Sequence, residues 1–310
     1  MKVHRGLTSF DSTGYSIVTS GTFDGVHVGH QKILARLRQI SERNQGETVL
    51  ITFWPHPRIV LSNGNTELKL LSTIEEKARL LEQYGIDHLV ILPFTKEFSQ
   101  LTPDEFIKQV YVQGVGTHKL VIGYDHRFGK NREGGFDYLK QHADSYGFGI
   151  EEISRHDIDD VVISSTKIRN ALLEGNIKMA NQYLGYAYGL EGKVTHGDKI
   201  GRTIGFPTAN IVIEESYKLI PAHGIYAVEA LLKDEQLKGM LYIGNRPTLD
   251  GTPQLRIEVN LFDFDRDIYD QQLQVRLIAK IREDEKLNSL EELKQALKQD
   301  ELASRKILFT

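Results

Sequence analysis

The sequence predicts an α/β domain on a parallel sheet, followed by an antiparallel barrel or sandwich closed by a helix. Three observations predict it. The chain has 310 residues, about twice the usual domain length. Its first 180 or so residues alternate short β-branched apolar runs with segments of helical spacing. From about Gly185 the helices thin out, and strand-like runs are divided by Gly, Pro and Asp clusters. Strands alternating with helices imply a parallel sheet covered on both faces, whereas regularly spaced strands alone imply an antiparallel barrel or sandwich.

The first domain's strands are expected at Tyr15–Ser20, Thr48–Trp54, His88–Pro93, Lys119–Gly123 and Gly149–Ile153. Between them, Gln31–Arg43 puts Ile33, Leu34, Leu37 and Ile40 on one stripe, and Thr73–Tyr84 does the same with Ile74, Ala78, Leu80 and Leu81. Thr102-Pro103-Asp104-Glu105 reads as an N-cap with Pro at the first helical position, opening a helix through Val112. In the second domain, Glu191–His196, Gly224–Leu232, Lys238–Ile243, Leu255–Phe264 and Gln272–Arg282 read as strands. A last helix follows the N-cap Ser289, with Glu291 and Glu292 in its first turn and Leu293, Ala296 and Leu297 on its apolar side. The expected division is 1–184 and 185–310.

Composition removes several classes of function. Hydrophobic residues make up 40% and charged residues 26%, which excludes disordered, collagenous and coiled-coil chains. No cysteine is present, so disulfides, thiolate zinc sites, iron–sulfur clusters and cysteine nucleophiles are excluded. The same absence suits a reducing compartment, and a cytoplasmic location is expected. The N-terminus lacks a signal-like apolar stretch, and the longest apolar run, Leu89–Leu92 before Pro93-Phe94, cannot span a bilayer. Net charge is −4, with 21 basic and 22 acidic residues up to Tyr183 and 17 against 20 beyond it. Neither half has the basic excess of a nucleic-acid surface, so neither nucleic acid nor membrane is expected as a partner.

Gly21-Thr22-Phe23-Asp24-Gly25-Val26-His27-Val28-Gly29-His30 joins the first strand to the first helix. Gly21, Gly25 and Gly29 let backbone approach a bulky anion, with Phe23 between them, and the helix start aims unpaired N–H groups at it. His27 and His30, three apart, are placed to donate hydrogen bonds to phosphate oxygens. The same spacing also fits an ordinary βα turn with surface histidines, or a two-histidine metal fragment. Neither a dinucleotide GxGxxG nor a P-loop is present. Two further segments are candidates for the same site. Gly123-Tyr124-Asp125-His126-Arg127-Phe128-Gly129 follows a strand, where open parallel sheets bind ligands. Ser164-Ser165-Thr166 leads into a helix carrying Lys167 and Arg169, which reads equally as a cap and a solvated face. Trp54-Pro55-His56-Pro57 reads as a rigid turn.

In the second domain, Gly197, Gly201 and Gly205 recur every fourth residue around Arg202, ahead of Phe206-Pro207-Thr208-Ala209-Asn210. This is a loop shaped for close backbone approach. Thr208 and Asn210 offer hard oxygens, enough for magnesium when phosphate and water complete the shell. Pro-Thr-Ala-Asn also fits a plain corner. Glu258, in the strand Leu255–Phe264 whose alternation is broken by acidic residues, is a candidate proton acceptor for an alcohol attacking phosphorus, or a solvent-facing glutamate.

Taken in order, TFDGVHVGH, the PHP turn, GYDHRFG and ISSTKIR resemble the FMN adenylyltransferase half of bacterial bifunctional riboflavin kinase/FAD synthetases. That half belongs to the nucleotidylyltransferase superfamily, whose HxGH signature resembles His27-Val28-Gly29-His30 here. GDKIGRTIGFPTAN, Gly224-Ile225-Tyr226, IGNRPT, ExNLFDFDRDIY and IREDEKL resemble riboflavin kinase motifs in the expected order. The resemblance implies a Rossmann-like nucleotidylyltransferase domain followed by a kinase β-barrel. It implies that His27 and His30 contact ATP phosphates, with Asp125 and Ser164–Arg169 around the nucleotide. It implies that Thr208 and Asn210 serve Mg-ATP, that the glycine loop covers the phosphates, and that Glu258 is the base. Arg282 and Glu283 are candidates for closing over the flavin. His126 stands where many relatives have an aromatic residue, and Asn260 where they commonly have histidine. The expected substrates are ATP, riboflavin and FMN, with FAD as product and Mg²⁺ as cofactor. Retention of one activity alone, or a non-catalytic flavin- or nucleotide-binding regulator, are the competing readings. A tRNA-charging enzyme would need a basic anticodon-binding stretch, which the chain lacks.

Overall fold

The computed structural model describes residues 1–11, 14–62, 67–154, 163–196, 201, 204–247, 253–287 and 289–309. They form two compact units, Met1–Ser164 and Ser165–Thr310.

In the first unit, strands β1 (Lys2–Arg5), β2 (Ser16–Ser20), β3 (Glu47–Trp54), β4 (His88–Pro93), β5 (Thr117–Gly123) and β6 (Gly149–Ile153) make one sheet of order β1-β4-β3-β2-β5-β6. Every neighbouring pair is parallel. Helices α1 (Val28–Asn44) and α3 (Ile74–Gln83) cover one face, where Ile33, Leu34, Leu37, Ile74 and Leu81 meet Ile17, Leu50 and Leu89. On the other face, α4 (Pro103–Phe106), the π-helical turns Ile107–Val112 and α5 (Phe136–Tyr146) pack Phe106, Val110, Tyr111 and Leu139 against Val18, Val49 and Leu120. This is the expected doubly covered Rossmann-like sheet.

The α1 stripe read from the sequence is buried throughout. In α3, Ile74 and Leu81 are buried, Ala78 and Leu80 only partly, and Lys77 is buried among them. The Thr73 and Thr102 caps close reciprocally with Glu76 and Glu105. The helix expected through Val112 continues past Phe106 as π turns. Periodicity missed β1, whose Lys-Val-His-Arg is exposed at three of four positions at the sheet edge. It also missed α5 and the short α2 (Pro57–Leu61), which His56 caps by accepting from the Arg58 amide.

The second unit opens with α6 (Ser165–Leu173) and α7 (Ile177–Leu184). Asn181 ties them to the strands that follow: its Nδ2 donates to the Leu277 carbonyl at 2.8 Å, and its Oδ1 accepts from the Tyr188 amide at 2.8 Å. Strands β7 (Gly189–Thr195), β8 (Ala209–Val212), β9 (Gly224–Leu232), β10 (Glu235–Pro247), β11 (Pro253–Leu261) and β12 (Gln272–Arg282) close into a barrel of order β10-β11-β8-β7-β12-β9. All its pairings are antiparallel. Register shifts between Leu277 and Ala279 and between Lys280 and Arg282 bend β12, as closure requires. The C-terminal helix α8 (Leu290–Leu308), capped by Ser289, lays Leu297 and Leu308 against Met240, Ala227 and Phe262.

Replacing Asn181 by Ala strands one buried carbonyl and one amide. Denaturant unfolding of the second unit should register a loss of about 1–3 kcal/mol, with the first unit's transition unchanged.

Candidate active sites

In the first unit the strand order reverses at β2. Strands β3, β4 and β1 lie to one side of it and β5 and β6 to the other. The crevice beyond the carboxyl ends of β2 and β5 is where such sheets bind ligands, and the glycine turn leaves β2 at that point. The turn is strained: Phe23 (φ 45°) and Val26 (φ 36°) are left-handed without being glycine, beside Gly25 at φ 80°. Buried Asp24 holds it, accepting from the Leu71 amide at 2.9 Å and the Ser72 amide at 3.2 Å, while the Gly25 amide donates to Ser72 Oγ.

His27 caps α1, its Nδ1 accepting from the His30 amide at 3.4 Å. A neutral His27 therefore carries its proton on Nε2. The two imidazoles stack with centroids 3.6 Å apart, and Phe23 packs on His30 at 4.7 Å. The His30 Nδ1 is buried with no partner. Burial above all, with help from His27 and Lys77, holds the His30 pKa well below its ordinary value. A neutral His30 has a ring N–H that it can donate without bringing a charge.

His126, from the loop after β5, turns inward. Its Nε2 lies 3.3 Å from Ser20 Oγ at the end of β2 and 3.5 Å from the Tyr111 hydroxyl, which itself is 2.6 Å from Ser20 Oγ. Burial, then Arg127 and Arg132, push its pKa down to about 4. It is a neutral strut between the ends of β2 and β5, and Asp125 beside it is exposed. Ser164 ends the first unit. Ser165, Thr166 and Arg169 lie on α6 in the second unit, with Arg169 buried and Lys167 exposed.

In the barrel, Thr195, Asn210, Glu258, Tyr242 and Ile225 sit directly opposite one another on successive strands. Residues paired across strands share a face, and the last four line a cavity of about 590 Å³. Asn210 belongs to β8, a strand where the sequence reading expected a loop or a corner. The Thr208 hydroxyl donates to Glu258 Oε2 at 3.4 Å, so the threonine, asparagine and glutamate are gathered on one wall. Asn210 Oδ1 is buried with no partner, and with Thr208 Oγ1 it makes a hard-oxygen pair that fits magnesium. Asn260 Nδ2 donates to the Pro207 carbonyl at 2.7 Å, holding the corner that carries Thr208.

Gly201 also lines the cavity, and a Cβ there would lie 2.2 Å from the Phe206 carbonyl oxygen. Gly205 turns at φ 88°. Gly197 and Arg202 lie outside the described residues. Arg282 lines the cavity and makes a bidentate pair with buried Asp300 of α8, 2.8 Å for each bond. Glu283 does not line it: its exposed carboxylate pairs with Lys280 at 2.6 Å. Met240, Leu293 and Leu297 give the cavity an apolar side, and Tyr242 donates to Asp284 at 3.1 Å. Sequence reasoning missed these last two and Lys77, because an apolar stripe or a strand tyrosine carries no local mark of what it faces.

Residues 10–167 match the FAD synthetase family model and residues 184–308 the riboflavin kinase model. The chain belongs to the bifunctional riboflavin kinase/FMN adenylyltransferase family. A relative of that description in Listeria monocytogenes is 38% identical over 304 residues, covering 98% of this chain and 96% of its own. Another in Escherichia coli K12 is 36% identical over 308 residues, covering 98% and 97%. A solved structure described as a macrolide-efflux protein from Streptococcus pneumoniae superposes with a TM-score of 0.88 at 31% identity, covering 98% of each chain. Among the described residues here, no helix is long and apolar enough to cross a membrane.

In this chain's β-barrel unit, the Arg282–Asp300 pair pins α8 beside the cavity. Asp300→Asn removes the charge partner and should cost about 3 kcal/mol locally. Amide exchange along α8 should then accelerate about a hundredfold, and unchanged exchange would show that the pair does not pin the helix.

Proposed function

We infer that this chain makes FMN from riboflavin and ATP in its barrel, and FAD from FMN and a second ATP in its α/β domain. The observation that carries this is that one polypeptide matches both family models, with a polar-walled cavity in the barrel half and a histidine pair at the strand-order switch of the α/β half. The functional division we assign is 1–184 and 185–310.

In the barrel, the ribityl hydroxyl attacks the γ-phosphorus of ATP. The new O–P bond forms as the β–γ bridging bond breaks, giving FMN and ADP. Glu258 takes the hydroxyl proton, and its link to Thr208 aims the carboxylate into the cavity. Thr208 Oγ1 and Asn210 Oδ1 would hold a magnesium ion, which supplies charge neutralisation on the transferring group. The glycine loop of Gly197, Gly201 and Gly205, with Arg202 and Pro207, covers the phosphates. Arg282 closes the flavin side through α8, and Glu283 stands at the rim.

In the α/β domain, an FMN phosphate oxygen attacks the α-phosphorus of ATP, and pyrophosphate leaves. The nucleophile is already anionic, so no strong base is needed. His27 and neutral His30 donate hydrogen bonds to the phosphates as charge moves to the leaving group, and the positive end of α1 adds to them. Gly21, Gly25, Gly29 and Phe23 are assigned to the ATP-binding turn. Asp125, the Ser164–Thr166 hydroxyls and Arg169 are assigned to the nucleotide because the resemblance carries them, and the first family match reaches residue 167. The substrates are small molecules, magnesium is the cofactor, and a cytoplasmic location with neither nucleic acid nor membrane as partner fits the composition.

Incubation with riboflavin, Mg²⁺ and ATP should give FMN first and FAD later, read by chromatography of the flavins. Glu258→Gln should abolish FMN formation by at least about a hundredfold while still converting supplied FMN to FAD. Wild-type protein that makes neither flavin would overturn the reading.

A further inference from the structure

We propose that Lys77 is a positioning residue for adenylyl transfer: its buried ammonium holds the Thr22 carbonyl of the glycine turn and sets a positive charge that acts on His30. The proposal rests on the assignment of that turn to adenylyl transfer.

Lys77 lies on α3 among the apolar positions that pack this helix on the sheet, and only 4% of it is exposed. A lysine so deeply buried is rare unless paired, and a leucine would extend the stripe of Ile74, Ala78 and Leu81. Instead its Nζ donates to the Thr22 carbonyl at 2.7 Å. The Thr52 hydroxyl reaches the same oxygen at 3.3 Å. Two elements thus grip the residue that precedes Phe23, whose ring in turn packs on His30.

The groups whose charge couples to this ammonium are Asp24 from the turn and His30 from the start of α1. Asp24 favours the charged lysine, and the lysine helps keep His30 neutral. A neutral carbonyl does not repay the desolvation of an ammonium, and burial lowers the Lys77 pKa to about 8. A triphosphate entering the turn would repay it, because negative charge nearby favours the protonated lysine.

Charge and hydrogen bond are separable here. A neutral amine still donates to Thr22, so a purely structural role survives deprotonation. The sign of the pH dependence separates them further. The folded protein binds this proton less tightly than the unfolded chain, so folding stability gains from Lys77 as pH rises from about 8 toward 10.5. A charge-dependent role in catalysis loses over the same window.

The test measures FAD formation from FMN and ATP, between about pH 6.5 and 10, in wild type, Lys77→Gln and Lys77→Arg. FMN formation from riboflavin and thermal unfolding are followed in the same full-length proteins. The wild-type kcat/KM for FAD formation should fall along a limb near pH 8 while unfolding shows no loss of stability. Lys77→Gln should lower FAD formation about a hundredfold and lack the limb, with FMN formation unchanged. Lys77→Arg should restore activity and move the limb upward. A wild-type limb absent, or still present in Lys77→Gln, overturns the proposal even if one variant folds poorly. Wild type that makes FMN but no FAD at any pH overturns the assignment of the turn instead.

Discussion

Asp24 accepts hydrogen bonds from the amides of Leu71 and Ser72, 47 and 48 residues further along the chain, and the first site depends on that clamp. Left-handed backbone at a phenylalanine and a β-branched valine costs of order 1–3 kcal/mol each. Hydrogen bonds to a charged group return about 1.5–3 kcal/mol apiece, so a buried carboxylate with two amide donors and a serine hydroxyl offsets the strain. What the strain accomplishes is directional. It swings the chain off the end of β2 so that His27 caps α1 and its ring lies flat on His30. Without the clamp, the relaxed turn would carry the same residues and present them differently.

The barrel solves a similar problem by register alone. Asn210 faces Glu258, and Glu258 faces Tyr242, because antiparallel strands put directly opposed residues on one side. A slip of one residue in β8 would turn Asn210 out of the cavity. Asn260, on the same strand as Glu258 and two residues away, reaches the Pro207 carbonyl, so one strand holds both the carboxylate and the corner opposite it. The two units therefore hold their polar groups by different means, a side-chain clamp in one and backbone pairing in the other.

Much of this was legible in the sequence because it is local. The stripe of α1, the capping boxes at Thr73 and Thr102, β9 and β12 to their terminal residues, and the chemistry of the two glycine-rich motifs all lie within short windows. What escaped depends on distant partners. Lys77 sits at a helix position whose burial is set by the turn it faces. Asp24 reads as a turn aspartate until Leu71 and Ser72 arrive. The strand β8 is four residues long and follows a proline, and β1 has the polar pattern of an edge. Arg282 was a candidate for closing over the flavin, and its bidentate partner Asp300, 18 residues further along on α8, could not be read from the sequence.

The most direct measurement is the rate of FAD formation from supplied FMN and ATP by the Asp24→Asn variant, with FMN formation from riboflavin in the same preparation as reference. A carboxamide keeps the size of the side chain but loses the charge and one acceptor. The account predicts FAD formation lowered by about two orders of magnitude with FMN formation at the wild-type rate. FAD formation within about twofold of wild type would contradict it, since the histidine pair would then be competent without the clamp.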